Sequence, residues 1–158
     1  MNIVFTPTDG ITSRFIQEEY IPLTVSFNDK DYVKHIGFYY GDTDLCEFGI
    51  DPETNEIIKF VLTCSSHYEF INDKMTVKKG ENGLIKLMLP PRIDCSDFKV
   101  SVYSDGVHIS LSNTTSDITY SSGHLVLRID NNECISDVYI IGLTKSDIDF
   151  IQNELRLG

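Results

Sequence analysis

The stretch Phe48-Gly-Ile-Asp-Pro-Glu-Thr-Asn-Glu-Ile-Ile-Lys-Phe60 decides the fold, because it returns in altered form as Leu127-Arg-Ile-Asp-Asn-Asn-Glu-Cys-Ile-Ser-Asp-Val138. Both read Ile-Asp, a short polar turn, Asn-Glu, then an apolar run. Asp and Asn favour turns because their side chains hydrogen-bond the local backbone, so each stretch predicts a hairpin. Asp51 and Asp130 stand half a chain length apart in a sequence of 158 residues. Each hairpin precedes a Ser/Thr-containing stretch that ends in Phe-Ile, at Phe70-Ile71 and Phe150-Ile151. The expectation is a mainly β, α+β protein with antiparallel sheets in two similar halves, about 1–79 and 80–158, within one domain. The pattern fits an internal duplication or convergent hairpin chemistry.

Outward from these hairpins the chain reads as short strands. Pro22–Phe27 alternates Leu23, Val25 and Phe27 with Thr24 and Ser26, the period of a half-buried strand. Tyr32–Tyr40, Leu45–Ile50 and Glu56–Thr63 follow, then Leu84–Leu89 before Pro90-Pro91. Ser104-Asp-Gly106 and Ser121-Ser-Gly123 mark two further hairpins, and Asp-Gly is a strong turn signal. About ten strands at this spacing indicate antiparallel sheets. Thr12-Ser13 is expected to cap a short helix over Arg14–Tyr20. Ser65–Asn72 reads as a helical turn or loop, and Met75–Lys79 as a short strand. The final element is a helix with Thr144 as N-cap and Asp147 at N3, close to a capping box, with Ile148, Ile151 and Leu155 on one face.

Net charge is −11, with 24 acids against 13 bases. The excess is present in both halves, so the whole domain is acidic and repels nucleic-acid phosphates. It attracts a basic protein. Met1-Asn-Ile-Val-Phe-Thr-Pro7 lacks a basic start and a long apolar run, which predicts no signal peptide. No segment reaches the length of apolar chain that a membrane span needs. A cytoplasmic protein with four reduced cysteines is expected, with Cys46, Cys64 and Cys134 as small core residues.

Catalytic and metal signals are weak. Cys64-x-x-His67 has the spacing of two zinc ligands, but no second Cys/His pair accompanies it. Asp42-x-Asp44 and Asp51-x-Glu53-x-Asn55 alternate oxygen donors without the glycine and terminal glutamate of a calcium loop. Gly80-Glu-Asn-Gly83 is not a phosphate loop, and no Gly-x-Ser-x-Gly elbow exists. The reading assigns no cofactor and no metal.

The acidic run 42–56 is the strongest candidate surface. It holds Asp42, Asp44, Glu47, Asp51, Glu53 and Glu56 without a Lys or Arg, directly after Tyr39-Tyr40. Aromatic anchors beside carboxylates suit a partner rich in Arg and Lys. Tyr40, Asp42, Asp44, Glu47 and Glu53 are the expected partner-binding residues, and the segment Asp130 to Glu154 is the next.

Leu45-Cys-Glu-Phe-Gly-Ile-Asp51 with Asn55-Glu-Ile-Ile58, the closing Ile129-Asp-Asn-Asn-Glu-Cys-Ile135 and the Leu143-Thr-Lys-Ser-Asp147 helix start resemble the immunity proteins of contact-dependent growth inhibition and related polymorphic toxin systems. The resemblance covers residues 45–62 and 124–155 and carries over no functional residue. It implies a bacterial protein, not an enzyme, that binds and neutralises a cognate toxin domain, often a basic nuclease. The alternatives are a small cytosolic enzyme with an unrecognised site and an accessory binding domain.

Overall fold

A computed structural model describes residues 2–114 and 116–157. The described chain forms fourteen strands and one helix. The first six-stranded sheet contains β2 (Arg14–Glu18), β3 (Ile21–Ser26), β4 (Lys34–Tyr40), β5 (Asp44–Ile50), β6 (Ile57–Cys64) and β9 (Arg92–Asp94), in the order β2-β3-β6-β5-β4-β9. The second contains β7 (Tyr68–Phe70), β10 (Lys99–Val102), β11 (Val107–Ser110), β12 (Ile118–Ser122), β13 (Leu125–Ile129) and β14 (Ile135–Ile140), in the order β12-β13-β14-β11-β10-β7. β1 (Ile3–Pro7) and β8 (Gly83–Leu87) form a separate ribbon.

Five strands of each sheet share one plan. β2-β3-β6-β5-β4 and β10-β11-β14-β13-β12 have the same chain order and antiparallel pairings. The registers agree as well. Ile50 faces Ile57 and Gly49 faces Lys59, which leaves Ile58 as a bulge; Ile129 faces Ile135 and Arg128 faces Asp137, which leaves Ser136 as a bulge. Ser26 then pairs with Lys59 as Ser110 pairs with Asp137. The amide of Phe27 donates to the Ile58 carbonyl, and that of Leu111 to the Ser136 carbonyl. The Asp51 and Asp130 turns thus occupy corresponding places in two five-stranded units.

The turns differ by one residue. The Asp51 amide bonds the Glu56 carbonyl, whereas the Asp130 amide bonds the Cys134 carbonyl. The left-handed residue is Asn55 (φ 66°) in one and Glu133 (φ 57°) in the other. The shared letters Asn-Glu are therefore one place out of structural register, and Ile-Asp is the part that aligns.

The parallel edge strands break the likeness. β7 leaves the first unit and pairs with β10 of the second sheet; β9 precedes the second unit and pairs with β4 of the first. Inward side chains of both sheets, including Phe38, Phe48, Phe60, Ile109, Leu127 and Val138, form one buried cluster. The β1–β8 ribbon adds Ile3, Ile85 and Leu87 to it. Bridges at Glu56–Lys86 and Asn82–Ser121 fasten the β8 segment to both units.

The helix α1 (Lys145–Leu157) starts as its sequence indicates. Thr144 N–H donates to Asp147 Oδ2 at 3.0 Å, and Asp147 N–H donates to Thr144 Oγ1 at 3.2 Å. Ile148, Ile151 and Leu155 are buried, while Arg156 lies 4.8 Å over the Phe70 ring of β7. Among the described residues no helix is long and apolar enough to cross a membrane.

Four local expectations fail. Arg14–Glu18 is strand β2, not a helix, because pairing with β3 supplies a ladder that a two-turn helix with a costly nucleus lacks. Phe15 from this strand meets Phe150 of α1 edge-on at 6.3 Å. Tyr68–Phe70 is a strand, and Met75–Lys79 is not. Cys64 is exposed at the end of β6, whereas Cys46 is buried and Cys134 only partly so.

Candidate functional site

The β4–β5 hairpin reaches further than its counterpart. Phe38 faces Cys46 in β4–β5 as Ser122 faces Leu125 in β12–β13. Only Gly123 and His124 close the second hairpin. The first continues through the pairs Tyr39–Leu45 and Tyr40–Asp44 to a turn of Gly41, Asp42 and Thr43. This extension carries Tyr40, Asp42 and Asp44.

Asp44 is the node of the extension. It is 1 % exposed. Its carboxylate accepts hydrogen bonds from Thr43 Oγ1 (2.6 Å), Ser65 Oγ (2.7 Å), Ser66 N–H (3.2 Å) and Ser66 Oγ (3.0 Å), with His67 Nδ1 at 3.0 Å. Burial pushes the acid up, but the donors from Thr43, Ser65, His67 and Ser66 outweigh it and hold it below its ordinary value. An ionised carboxylate only accepts, so His67 Nδ1 carries a proton and Nε2 faces away from Asp44. The His67 side chain is half-exposed and its ring meets Tyr40 edge-on at 5.5 Å. Asp44 thereby fixes the segment 65–67, which leaves β6, against the tip of β4–β5.

Beside this node lies a groove of about 260 Å³, walled by Tyr20, Pro22, Thr63, Cys64, Glu154 and Leu155, with Thr43, Ser65 and Ser66 completing it. The start of β3, the end of β6 and the start of β5 meet at this end of the sheet, and α1 supplies the far wall. Tyr20 turns the chain from β2 into β3 with φ of 70°, and its amide donates to Glu154 Oε2 at 3.0 Å. Its side chain is displayed: Tyr20 is 79 % exposed. Burial and the nearby Asp44 charge push the Cys64 thiol up, the opposite of what an activated nucleophile needs.

The five residues expected to bind a partner do not form one patch. Tyr40 and Asp42 are exposed together at the tip. Asp44 corrects its expectation: it sits beneath them as a buried hydrogen-bond acceptor, so it offers no surface charge and cannot be reversed without cost to the fold. Glu47 projects from mid-strand opposite Gly37, 3.3 Å from His35 Nδ1. Glu53 lies in the Asp51 turn at the other end of β5, about 20 Å away for a strand of this length at about 3.3 Å per residue. There Lys30 bridges to the buried Asp51 and holds that carboxyl below its ordinary value. Tyr20 and His67 are not among the expected contact residues, and Glu154 enters only as the end of the second-choice segment Asp130 to Glu154. They come from segments far apart in sequence, and the only local signal was Pro22, whose ring disfavours helix at Ile21 and so points to a turn at Glu18-Glu19-Tyr20.

Among the described residues no group of three or more His, Cys, Asp or Glu side chains is placed to hold a metal ion. No protein-family model matches the chain, and no curated protein matches it.

Proposed function

We propose that the chain is an immunity protein of a bacterial contact-dependent growth inhibition or related polymorphic toxin system, acting in the cytoplasm. It binds and neutralises a cognate, basic toxin domain of the nuclease type. The observation that carries this reading is the tip of β4–β5, where Tyr40 and Asp42 stand exposed on a hairpin extension braced by buried Asp44. A rigid aromatic beside a free carboxylate, in a domain of net charge −11, suits a basic protein surface. The same field speeds encounter and mimics the phosphates that a nuclease recognises. Glu47 and Glu53 add to the field rather than to the contact.

The test is co-expression with the protein encoded immediately upstream, followed by co-purification and a growth assay. Formation of a complex that restores growth supports the reading. A well-folded protein that neither binds nor protects against that toxin refutes it.

A second reading, a small enzyme, draws on one observation. Ser13 Oγ lies 2.6 Å from His124 Nδ1, beside a surface hollow of about 310 Å³ that includes Lys79 and Ile141. Burial pushes the imidazole down, which keeps it neutral and able to accept the hydroxyl proton. The same hydroxyl also accepts the His124 amide at 2.8 Å, which gives the pair a structural use as a tie between segments. Labelling of Ser13 by a fluorophosphonate ester, detected by mass spectrometry, decides between the two; an unlabelled serine removes the enzyme reading.

A further inference from the structure

Tyr20 combines two features that the fold does not need. A non-glycine residue at φ of 70° is disfavoured by its own Cβ, and a β2–β3 turn would close at lower cost with glycine there. The residue is also 79 % exposed, so it contributes little to the core. Exposed aromatics held on constrained backbone are suited to binding, because little freedom is lost when a partner arrives.

The groove behind it has a definite chemistry. Its lining includes Thr63 and the exposed Cys64, together with Pro22 and Leu155, which are themselves buried, and Glu154 closes one wall. One oxygen of Glu154 accepts the Tyr20 amide, which fixes the carboxylate at the mouth. Glu18 and Glu19 precede Tyr20, and Asp42 precedes Thr43 of the lining; all three acids are exposed. Among the described residues no Lys or Arg lines the groove. An occupant with an apolar stem and a cationic head matches this lining: the stem lies along Thr63 and Cys64, and the head meets the Glu154 carboxylate and the Tyr20 ring.

We infer that this groove is the anchor pocket for one basic side chain, an arginine or lysine carried on an extended segment of a protein partner. The inference rests on the proposed role as a binder of a basic toxin and adds where that partner's anchor enters. Free nucleic acid is excluded by the acidic rim, and a neutral apolar peptide leaves the Glu154 charge without a cationic partner.

A capped tetra-arginine peptide, with a capped tetra-glutamine peptide as control, tests the pocket without the toxin. Titrated into the full chain and followed by amide and side-chain NMR, the arginine peptide is expected to shift signals of Tyr20, Thr63 and Leu155, and the control is not. Tyr20→Ala and Glu154→Gln are each expected to weaken it about tenfold, with binding falling as salt rises. Tyr20→Gly is expected to lose binding while its melting temperature stays level or rises, which separates the ring's role from folding. Shifts that map elsewhere, or variants that bind as the parent does, would overturn the inference. So would spermidine binding in the groove as tightly as the peptide, since a free polyamine would then be the better occupant. If the peptide seats in the groove but the neighbouring toxin does not bind, the pocket stands and the immunity role falls. If the toxin binds with unchanged affinity to Tyr20→Ala and Glu154→Gln, the role stands and the pocket falls.

Discussion

The β4–β5 and β12–β13 hairpins occupy corresponding places in two units of identical strand order, yet they are put to different uses. From Phe38–Cys46 inward, and from Ser122–Leu125 inward, the ladders agree pair by pair as far as the bulges at Ile58 and Ser136. Beyond those pairs the second hairpin turns at once through Gly123, whose φ of 55° allows the tight reversal. A Cβ there would lie 2.4 Å from Ser13 Oγ, so glycine also permits the Ser13–His124 contact. The first hairpin runs on and spends its extra length on an exposed tip held by a buried acid. The shared framework supplies stability, and the unshared extension supplies the candidate surface. A difference in turn length between otherwise matching units thus marks where the proposed contact surface lies.

The largest expected effect separates the buried acid from its exposed relatives. Asp44→Ala removes an acceptor that satisfies several donors and leaves the Ser65 hydroxyl only its longer bond to the His67 carbonyl at 3.3 Å. It should cost about 3 kcal/mol in urea unfolding. Asp130→Ala, in the motif turn of the second unit, removes bonds only from the amides of Asn132 and Cys134 and should cost about 1 kcal/mol. Equal losses would mean that Asp44 is not the brace of the tip.

The left-handed turn residues sharpen the comparison of the two motif hairpins. Glu133→Gly should stabilise the protein by about 0.5 kcal/mol, the relief of backbone strain exceeding the added freedom of the unfolded chain. Asn55→Gly should gain nothing, because asparagine tolerates this conformation and Asn55 Oδ1 also accepts Lys34 Nζ at 2.8 Å. A matching gain at both sites would show that the two turns are energetically alike despite their different lengths.

A smaller effect follows from His124, which burial pushes below its ordinary value. The unfolded chain then binds the proton more readily than the folded one, so stability is full above the unfolded value of about 6.5 and declines as pH falls below it toward the folded value. The melting temperature should fall modestly from pH 7.5 to 5.5, and His124→Gln should flatten that part of the profile. A slope that His124→Gln leaves intact would place its origin elsewhere.

The parts of this molecule legible in its sequence are those fixed by neighbours in the chain. Ile-Asp at 50–51 and 129–130 marks both motif hairpins because the aspartate bonds amides two residues on, Glu53 and Asn132. The Thr144/Asp147 cap is equally local. The Asn-Glu match misleads by one residue, since letters count positions while the ladder counts hydrogen bonds. Three-residue strands β7 and β9 are illegible because each exists only through a parallel partner in the opposite unit's sheet. Asp44 fails for the same reason. An aspartate beside a turn reads as solvent-facing until the serines and histidine of 65–67 close over it.

The extended hairpin of the first unit, and not the matching region of the second, is proposed to contact the partner. The most direct measurement compares the affinity of the cognate toxin domain for two double variants, Tyr40→Ala/Asp42→Lys and Asp130→Lys/Glu133→Lys, each first shown to keep the parent's melting temperature within a few degrees. Loss of an aromatic anchor and reversal of its adjacent charge together should weaken binding about 100-fold, about 2.7 kcal/mol. The second-unit variant loses only long-range attraction and should stay within about threefold at physiological salt. Equal affinities for the two variants, or a larger loss from the Asp130/Glu133 pair, would contradict it.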